Sequence, residues 1–247
     1  MTNPRYKLLA LDMDGTLLTD DNEISEQTVN WINEAIRAGI HVCLSTGRAA
    51  RSALPFAQQL GLETPMVTVN GSEIWKSPHE LWRRSLLDPQ AVVSMRQLAL
   101  EHRAWYWAYS LDELFNSDRW PESMEGLEWL KFGYDTPNDE VRHEIILKLQ
   151  DMGGLEISNS SPTNLEINPK GVSKATGIGE VCQLLGITMK EVVAVGDSLN
   201  DLAVIQAAGL GVAMGNAQEL VKENADLIVA SNNEDGIVEV IRDHILG

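Results

Sequence analysis

The chain has 247 residues, 44% apolar and 22% charged, which suits either one large α/β unit or a core with a second domain inserted into it. Its formal net charge of −17, with no basic stripe to offset it, argues against a nucleic-acid partner. A small phosphorylated ligand stays open, because a few local cations outweigh the net charge within a Debye length of roughly 8 Å. No run reaches the roughly 18 apolar residues of a membrane span and the N-terminal MTNPRYK carries no signal-like apolar run, so the expectation is a cytoplasmic protein with no membrane partner. Cys43 and Cys182 stand apart in apolar surroundings with no CxxC spacing and read as buried, reduced thiols.

YKLLAL (residues 6–11) is a near-continuous apolar run of the kind found in parallel sheets covered on both faces. Ser25 is placed to cap a helix through about Ala38, with Val29, Ile32 and Ile36 on one face and Gly39 to end it. The strand IHVCLS (40–45), a helix from about Ala49 to Leu60 and the strand MVTV (66–69) follow, and this alternation predicts a doubly wound parallel sheet. The middle differs in texture. Asp88-Pro89 opens a helix to about Arg103, WYWAY (105–109) reads as a strand, and Thr136-Pro137 opens a helix ending near Gly153-Gly154. Residues 83–163 are therefore expected to form a small inserted α+β cap domain, with residues 1–82 and 164–247 forming the core. From Ser173 the alternation resumes: a helix to Leu185, the strand EVVAV (191–195), the turn GDSLND, a helix to Ala208, the strands LGVAM (210–214) and ADLIVA (225–230), and a final helix from about Glu234 to Leu246.

In such a sheet ligands collect beyond the carboxyl ends of the strands. The polar residues at those positions are Asp12 and Asp14 after the first strand, Ser45, Thr46 and Arg48 after the second, Asn70 after the third, and Asp197, Asn200 and Asp201 after EVVAV, with Lys174 opening the preceding helix. Carboxylates held this close repel each other unless a cation shares the site. Mg²⁺ favours hard oxygen donors, and Asp12 and Asp197 could supply them from two strand ends, leaving the Asp14 side chain free to exchange protons.

DMDGTLL, STGR, GVSK and GDSLND, in this order on this alternation, resemble the four motifs of the haloacid dehalogenase-like phosphohydrolases, most closely their Cof-type sugar-phosphatase branch. VNG (69–71), NNEDGI (232–237) and the position of the insert add to the likeness, which covers nearly all of the core. The resemblance implies a Mg²⁺-dependent phosphatase acting on a small phosphorylated metabolite, a sugar phosphate above all. In that scheme Asp12 is the nucleophile that becomes an aspartyl phosphate and Asp14 the general acid and base. Thr46 and Lys174 hold the phosphoryl oxygens. Asp12, Asp197 and the backbone carbonyl of Asp14 bind the metal, while Asn200 and Asp201 orient the phosphate, the lysine and the metal's surroundings.

Blander readings stand beside these. DMDG alone could be an acidic turn or a receiver-type pocket, Ser45 or Thr46 could merely cap a helix, and Arg48 could contact phosphate or the cap, or form a structural ion pair. Trp105, Trp107 and Tyr109 alternate as one face of a half-buried strand, with a sugar-stacking surface as the sharper alternative. His41 reads as structural, and His102 and His143 as exposed. A phosphosugar mutase on the same core, or a non-catalytic phospho-acceptor module, are the other functions this pattern allows. The sequence is silent on oligomeric state.

Overall fold

The computed structural model describes residues 5–247. The first strand, Leu8–Leu11 (β1), is followed by the helix Glu26–Arg37 (α1), the strand His41–Leu44 (β2) and the helix Ala50–Gln59 (α2). Next come three strands, Met66–Thr68 (β3), Glu73–Ser77 (β4) and Glu80–Arg84 (β5), then the helix Pro89–His102 (α3) and the strands Trp105–Ser110 (β6), Leu114–Asn116 (β7) and Trp129–Asp135 (β8). The helix Asp139–Met152 (α4) leads into Leu155–Ser158 (β9) and Asn164–Pro169 (β10). Lys174–Leu185 (α5), Val192–Gly196 (β11), Leu199–Ala207 (α6), Leu210–Ala213 (β12), Glu219–Asn224 (α7), Leu227–Ile228 (β13) and Gly236–Glu239 (α8) complete the order, the last continued by a π-helical turn over Val240–Ile245.

Five strands pair in parallel in the order β13-β12-β11-β1-β2. The unbroken hydrophobicity of β1 follows from its central place. Leu9 and Leu11 pack with Ile32, Ala53 and Ile237 on one face, while Leu8 and Ala10 pack with Ile178 and Val181 of α5 on the other. Because β2 and β11 flank β1 on opposite sides, a crevice opens at its carboxyl end. Ser25 caps α1 as its position predicts, its hydroxyl accepting from the Thr28 N–H at 3.0 Å, and Ser173 caps α5 with Thr176 answering in a capping box.

Three elements depart from the sequence-based expectation. Residues 66–68 meet the main sheet only through a parallel bridge between Ser45 and Val67, and pair antiparallel with β4, which pairs with β5. The turn responsible puts Val69 and Asn70 at φ of 51° and 57°, costly for a β-branched residue and held in place by N–H bonds to the carbonyls of Arg48 and Thr46. The strand expected over 225–230 is reduced to Leu227–Ile228. The final helix changes to π geometry at Val240, a change nothing in the local sequence marks.

The second sheet is antiparallel, in the order β7-β6-β8-β10-β9. It extends past residue 163, since Leu165 pairs with Tyr134 and Ile167 with both Phe132 and Ile157, so the chain returns to the parallel core only after Pro169. NLEINP conceals this strand because its apolar face consists of just Leu165 and Ile167, with Asn164, Glu166 and Asn168 on the other side. Tyr106, Ala108, Phe132, Tyr134, Leu165 and Ile167 pack against Val92, Met95, Ile145 and Leu149 of α3 and α4. The opposite face looks toward the carboxyl ends of the core strands and is polar where it meets them.

Lys131 from β8 donates to the Gly47 carbonyl at 2.9 Å and to Glu166 Oε1 at 2.7 Å, and Glu166 Oε2 accepts from Asn70 Nδ2 at 2.7 Å. Asn168 donates to the Val69 carbonyl and to Ser72 Oγ, both at 2.9 Å. Lys131 and Glu166 are 2% and 5% exposed, a buried ion pair within the antiparallel sheet whose members each reach across to the core, Lys131 at Gly47 and Glu166 at Asn70. Burial pushes the Glu166 carboxyl upward, but the Lys131 ammonium and the Asn70 amide override it and hold it below the usual glutamate range. Removing one partner of a buried pair strands the other charge, so Lys131→Met is expected to lower unfolding stability by about 3–5 kcal/mol. The double variant with Glu166→Gln should recover much of that loss, as urea-denaturation midpoints will show.

Candidate active site

Asp12 follows β1 directly, its N–H bonded to the Val195 carbonyl of the neighbouring strand at 3.1 Å, which places its side chain in the crevice. Lys174, the first residue of α5, donates from Nζ to Asp12 Oδ1 at 2.6 Å and to Asp201 Oδ1 at 2.8 Å. A cation at a helix N-terminus opposes the macrodipole, and a fully buried one loses its hydration as well. Two carboxylates offset both costs. Asp201 is itself fixed, its Oδ2 accepting the N–H groups of Asp197 at 3.2 Å and Ser198 at 3.3 Å as part of the capping box of α6. Asp197 completes the group, accepting from Thr16 Oγ1 at 3.3 Å and Ser198 Oγ at 2.9 Å. Gly15, at φ +75°, lets the turn after β1 pass close by: a Cβ there would lie 2.7 Å from Asp197 Oδ2.

Asp12, Asp197 and Asp201 each bring an oxygen within 4.8 Å of the others. Three carboxylates against one ammonium leave an excess of two negative charges in a buried space. Burial foremost pushes the Asp12 carboxyl well above the aspartate range, with Asp201 and Asp197 adding repulsion and Lys174 opposing. Burial and the neighbouring Asp201 charge push Asp197 up to about 6. The Lys174 ammonium is desolvated too, yet Asp12 and Asp201 hold it firmly charged. An all-oxygen donor set carrying this charge fits a hard divalent cation such as Mg²⁺.

The remaining residues singled out from sequence lie around this centre. Asp14 is exposed at the mouth, where the Arg48 guanidinium grips it through Nε to Oδ2 at 2.8 Å and through Nη2 to Oδ1, while also donating to Asn22 Oδ1 at 2.9 Å and lying over the Phe56 ring. Of the readings open for Arg48, the structure displays an ion pair, and the pair includes the residue expected to move protons. Thr46 is fully buried, with its hydroxyl accepting from the Arg48 N–H at 3.1 Å. Asn200 donates toward Asn70 Oδ1 at 3.4 Å and Glu166 Oε2 at 3.3 Å; its own Oδ1 is buried without a partner among the described residues, as is Ser45 Oγ.

A cavity of about 360 Å³ runs from Asp12 and Asp14 to the polar face of the antiparallel sheet, where Trp107, Lys131 and Glu166 line it. Sequence reasoning passed over Lys131 and Glu166. Their signal was the polar member of each alternating pair in LKFGYD and NLEINP, which acquires meaning only once the two strands are known to be neighbours facing the core.

A buried acidic centre at the crevice of a doubly wound sheet, roofed by an inserted domain, defines a capped α/β hydrolase. The sequence pattern of the haloacid dehalogenase-like hydrolases matches residues 9–152 and 128–241, and the chain belongs to that family as one of its phosphatases. It is 45% identical over 240 residues to a 5-amino-6-(5-phospho-D-ribitylamino)uracil phosphatase of Bacillus subtilis, YcsE, covering 97% of this chain and 96% of the relative. It is 28% identical to the pyridoxal phosphate phosphatase YbhA of Escherichia coli, over 97% of this chain and 99% of that one. Among solved structures, a sugar phosphatase of HAD (haloacid dehalogenase) subclass IIB superposes with a TM-score of 0.85 at 25% identity, covering 96% of this chain and 98% of its own.

The charge excess has a measurable consequence. A carboxyl whose folded pKa is raised contributes stability at low pH that is lost as pH climbs through the folded value. For Asp197 that window runs from about pH 4 to about pH 6. Thermal denaturation in EDTA should therefore show a declining contribution across the window. Mg²⁺ should raise Tm more at neutral pH than near pH 5, because protons and metal compete for the same oxygens. A Mg²⁺ effect independent of pH would show that they do not.

Proposed function

We propose that the protein hydrolyses the phosphate ester of a small sugar or polyol through an aspartyl phosphate on Asp12, with Mg²⁺ as cofactor. The observation that carries the reading is the buried Lys174 ammonium bonded to Asp12 at the carboxyl end of β1. A carboxylate approaching a phosphate dianion meets strong repulsion, and the cation supplies the charge neutralisation that permits the approach. Asp12 and Asp197 are the residues we assign to hold it, with the Asp14 backbone carbonyl as a further ligand.

Lys174 fixes Asp12 through Oδ1 and spreads negative charge as phosphorus becomes five-coordinate. A carboxylate oxygen of Asp12 forms a bond to phosphorus as the ester P–O bond breaks, and Asp14, in its protonated form, gives its proton to the departing alkoxide. Water then attacks phosphorus as Asp14 takes its proton, the bond to Asp12 breaks and orthophosphate leaves. In the observed state both Asp14 oxygens are engaged by Arg48, so this role requires Arg48 to yield at least one of them when substrate enters. Thr46 and Asn200 are assigned to orienting the phosphoryl group, Asn200 with an unpartnered Oδ1.

The curated relatives support the ester class. Both the phosphorylated ribitylaminouracil and the pyridoxal phosphate in their names carry a phosphate on a primary carbon. Purified protein is expected to release orthophosphate from acetyl phosphate and from sugar phosphates with Mg²⁺, and to lose this on EDTA treatment. Asp12→Asn should reduce kcat by about three orders of magnitude or more, as loss of a covalent nucleophile does. Turnover persisting in that variant would show that Asp12 is not the nucleophile.

A further inference from the structure

The face of the antiparallel sheet that roofs the cavity is ordered in rungs. Cross-strand register sets Tyr109 beside Lys131, Trp107 beside Gly133 and Glu166, and Trp105 beside Asp135 and Asn164. The Tyr109 rung is already committed: Lys131 lies over the Tyr109 ring at 5.1 Å and reaches Gly47 of the core. In the next rung Glu166 is bonded to Lys131 and Asn70, and Trp107 is the member that makes no hydrogen bond to the core among the described residues. The Trp107 indole lies flat across Gly133, so closely that a Cβ at residue 133 would sit 2.3 Å from Trp107 Cζ2. A side chain there would lift the ring into the cavity; glycine keeps it against the sheet, half-buried in the cavity wall.

Trp105 stands next to it, centroids 5.6 Å apart and planes tilted by 34°; it is 42% exposed and lines the same cavity as Asp12. Beside Trp105, the exposed Asp135 carboxylate makes no hydrogen bond or ion pair among the described residues, whereas Asn164 is occupied by the loop at Ser160 and Ser161.

We infer that these outer rungs bind the far end of the substrate, and that this end is a planar nitrogen-bearing ring, stacked on Trp107 and Trp105 with N–H donors directed at Asp135. The inference rests on the phosphatase reading above and adds the leaving group's chemistry to it. Indole faces gain most from a flat π system, an aliphatic sugar covers them less completely, and an unpaired carboxylate at the rim selects an edge that donates. Rungs on one face are spaced by about 7 Å, so Trp107 lies about that far beyond the rung that touches the core. The ring is therefore joined to the phosphate by a short chain rather than carried on the ester oxygen itself. Trp105, Trp107 and Asp135 become specificity residues, remote from the reacting atoms.

The test compares two esters that differ in the ring alone, 5-amino-6-(5-phospho-D-ribitylamino)uracil and D-ribitol 5-phosphate, with acetyl phosphate as a ring-free reporter of the phosphoryl site. The full-length protein with Mg²⁺ is expected to favour the ring-bearing ester by roughly tenfold or more in kcat/KM, the scale of one base stacked on an aromatic side chain. Trp107→Ala and Asp135→Asn should each shrink that ratio, and Trp107→Phe, which keeps a flat face, should retain most of it. Equal kcat/KM for the two ribityl esters, or a ratio unchanged in Trp107→Ala, overturns the inference. Should Trp107→Ala fail to fold, the wild-type ratio and the Asp135→Asn and Trp107→Phe ratios decide the matter. Absence of all acetyl phosphate turnover in the wild type would count against the phosphatase reading instead. In that event product binding still judges the rungs: the phosphate-free ribitylaminouracil should quench tryptophan fluorescence where ribitol does not, and failure to do so refutes the ring.

Discussion

A single buried ammonium organises the core. Lys174 joins Asp12, at the end of β1, to Asp201, in the first turn of α6, and so ties together the segments on either side of the inserted domain. Without those two carboxylates, an ammonium 1% exposed at a helix N-terminus would be untenable. Without the ammonium, two buried carboxylates would be left with no protein cation between them. The interaction remains short of positive charge, because Asp197 stands in the same space, and that deficit is what fits the centre to a divalent cation and a phosphate ester.

The two halves of the cavity are built by different rules. The phosphoryl half consists of residues just beyond parallel strands, placed by main-chain bonds such as those from Asp12 and Ser45 to the neighbouring strands, so its geometry follows from the sheet itself. The half assigned above to the leaving group lies on the flat of an antiparallel sheet, where side chains stand in rungs. In the function proposed above, reaction chemistry is thereby separated from substrate choice.

That separation also explains what could be read without coordinates. The doubly wound core was legible because β1, β2 and β11 are apolar but for His41 and each is followed immediately by polar residues. Asp12, Lys174, Asp197 and Asp201 could be named as one group on that ground, and the structure brings them together. Arg48 was ambiguous because a basic residue near a strand end fits a ligand or a carboxylate equally well; only its fork onto Asp14 distinguishes them. Lys131 and Glu166 were missed for a different reason. Each is a charge in a strand whose partner lies 35 residues away, and a local pattern carries no trace of a pairing at that distance. The hairpin of β4 and β5 escaped because it begins at a turn whose left-handed Val69 and Asn70 are fixed by bonds to Arg48 and Thr46 rather than by their own preferences.

The joint between the two domains is chiefly a seam of hydrogen bonds, from Lys131 to the Gly47 carbonyl, from Asn70 to Glu166 and from Asn168 to the Val69 carbonyl, with a small greasy patch of Ala49, Val69 and Leu130 beneath it. Such a seam can be unzipped by solvent. Each bond given up on swinging the roof away is replaced by one to water, whereas an oily joint of the same extent would have to wet its surface. The joint between roof and core is thereby one that water can compete for, whereas the oily interior of each domain is not.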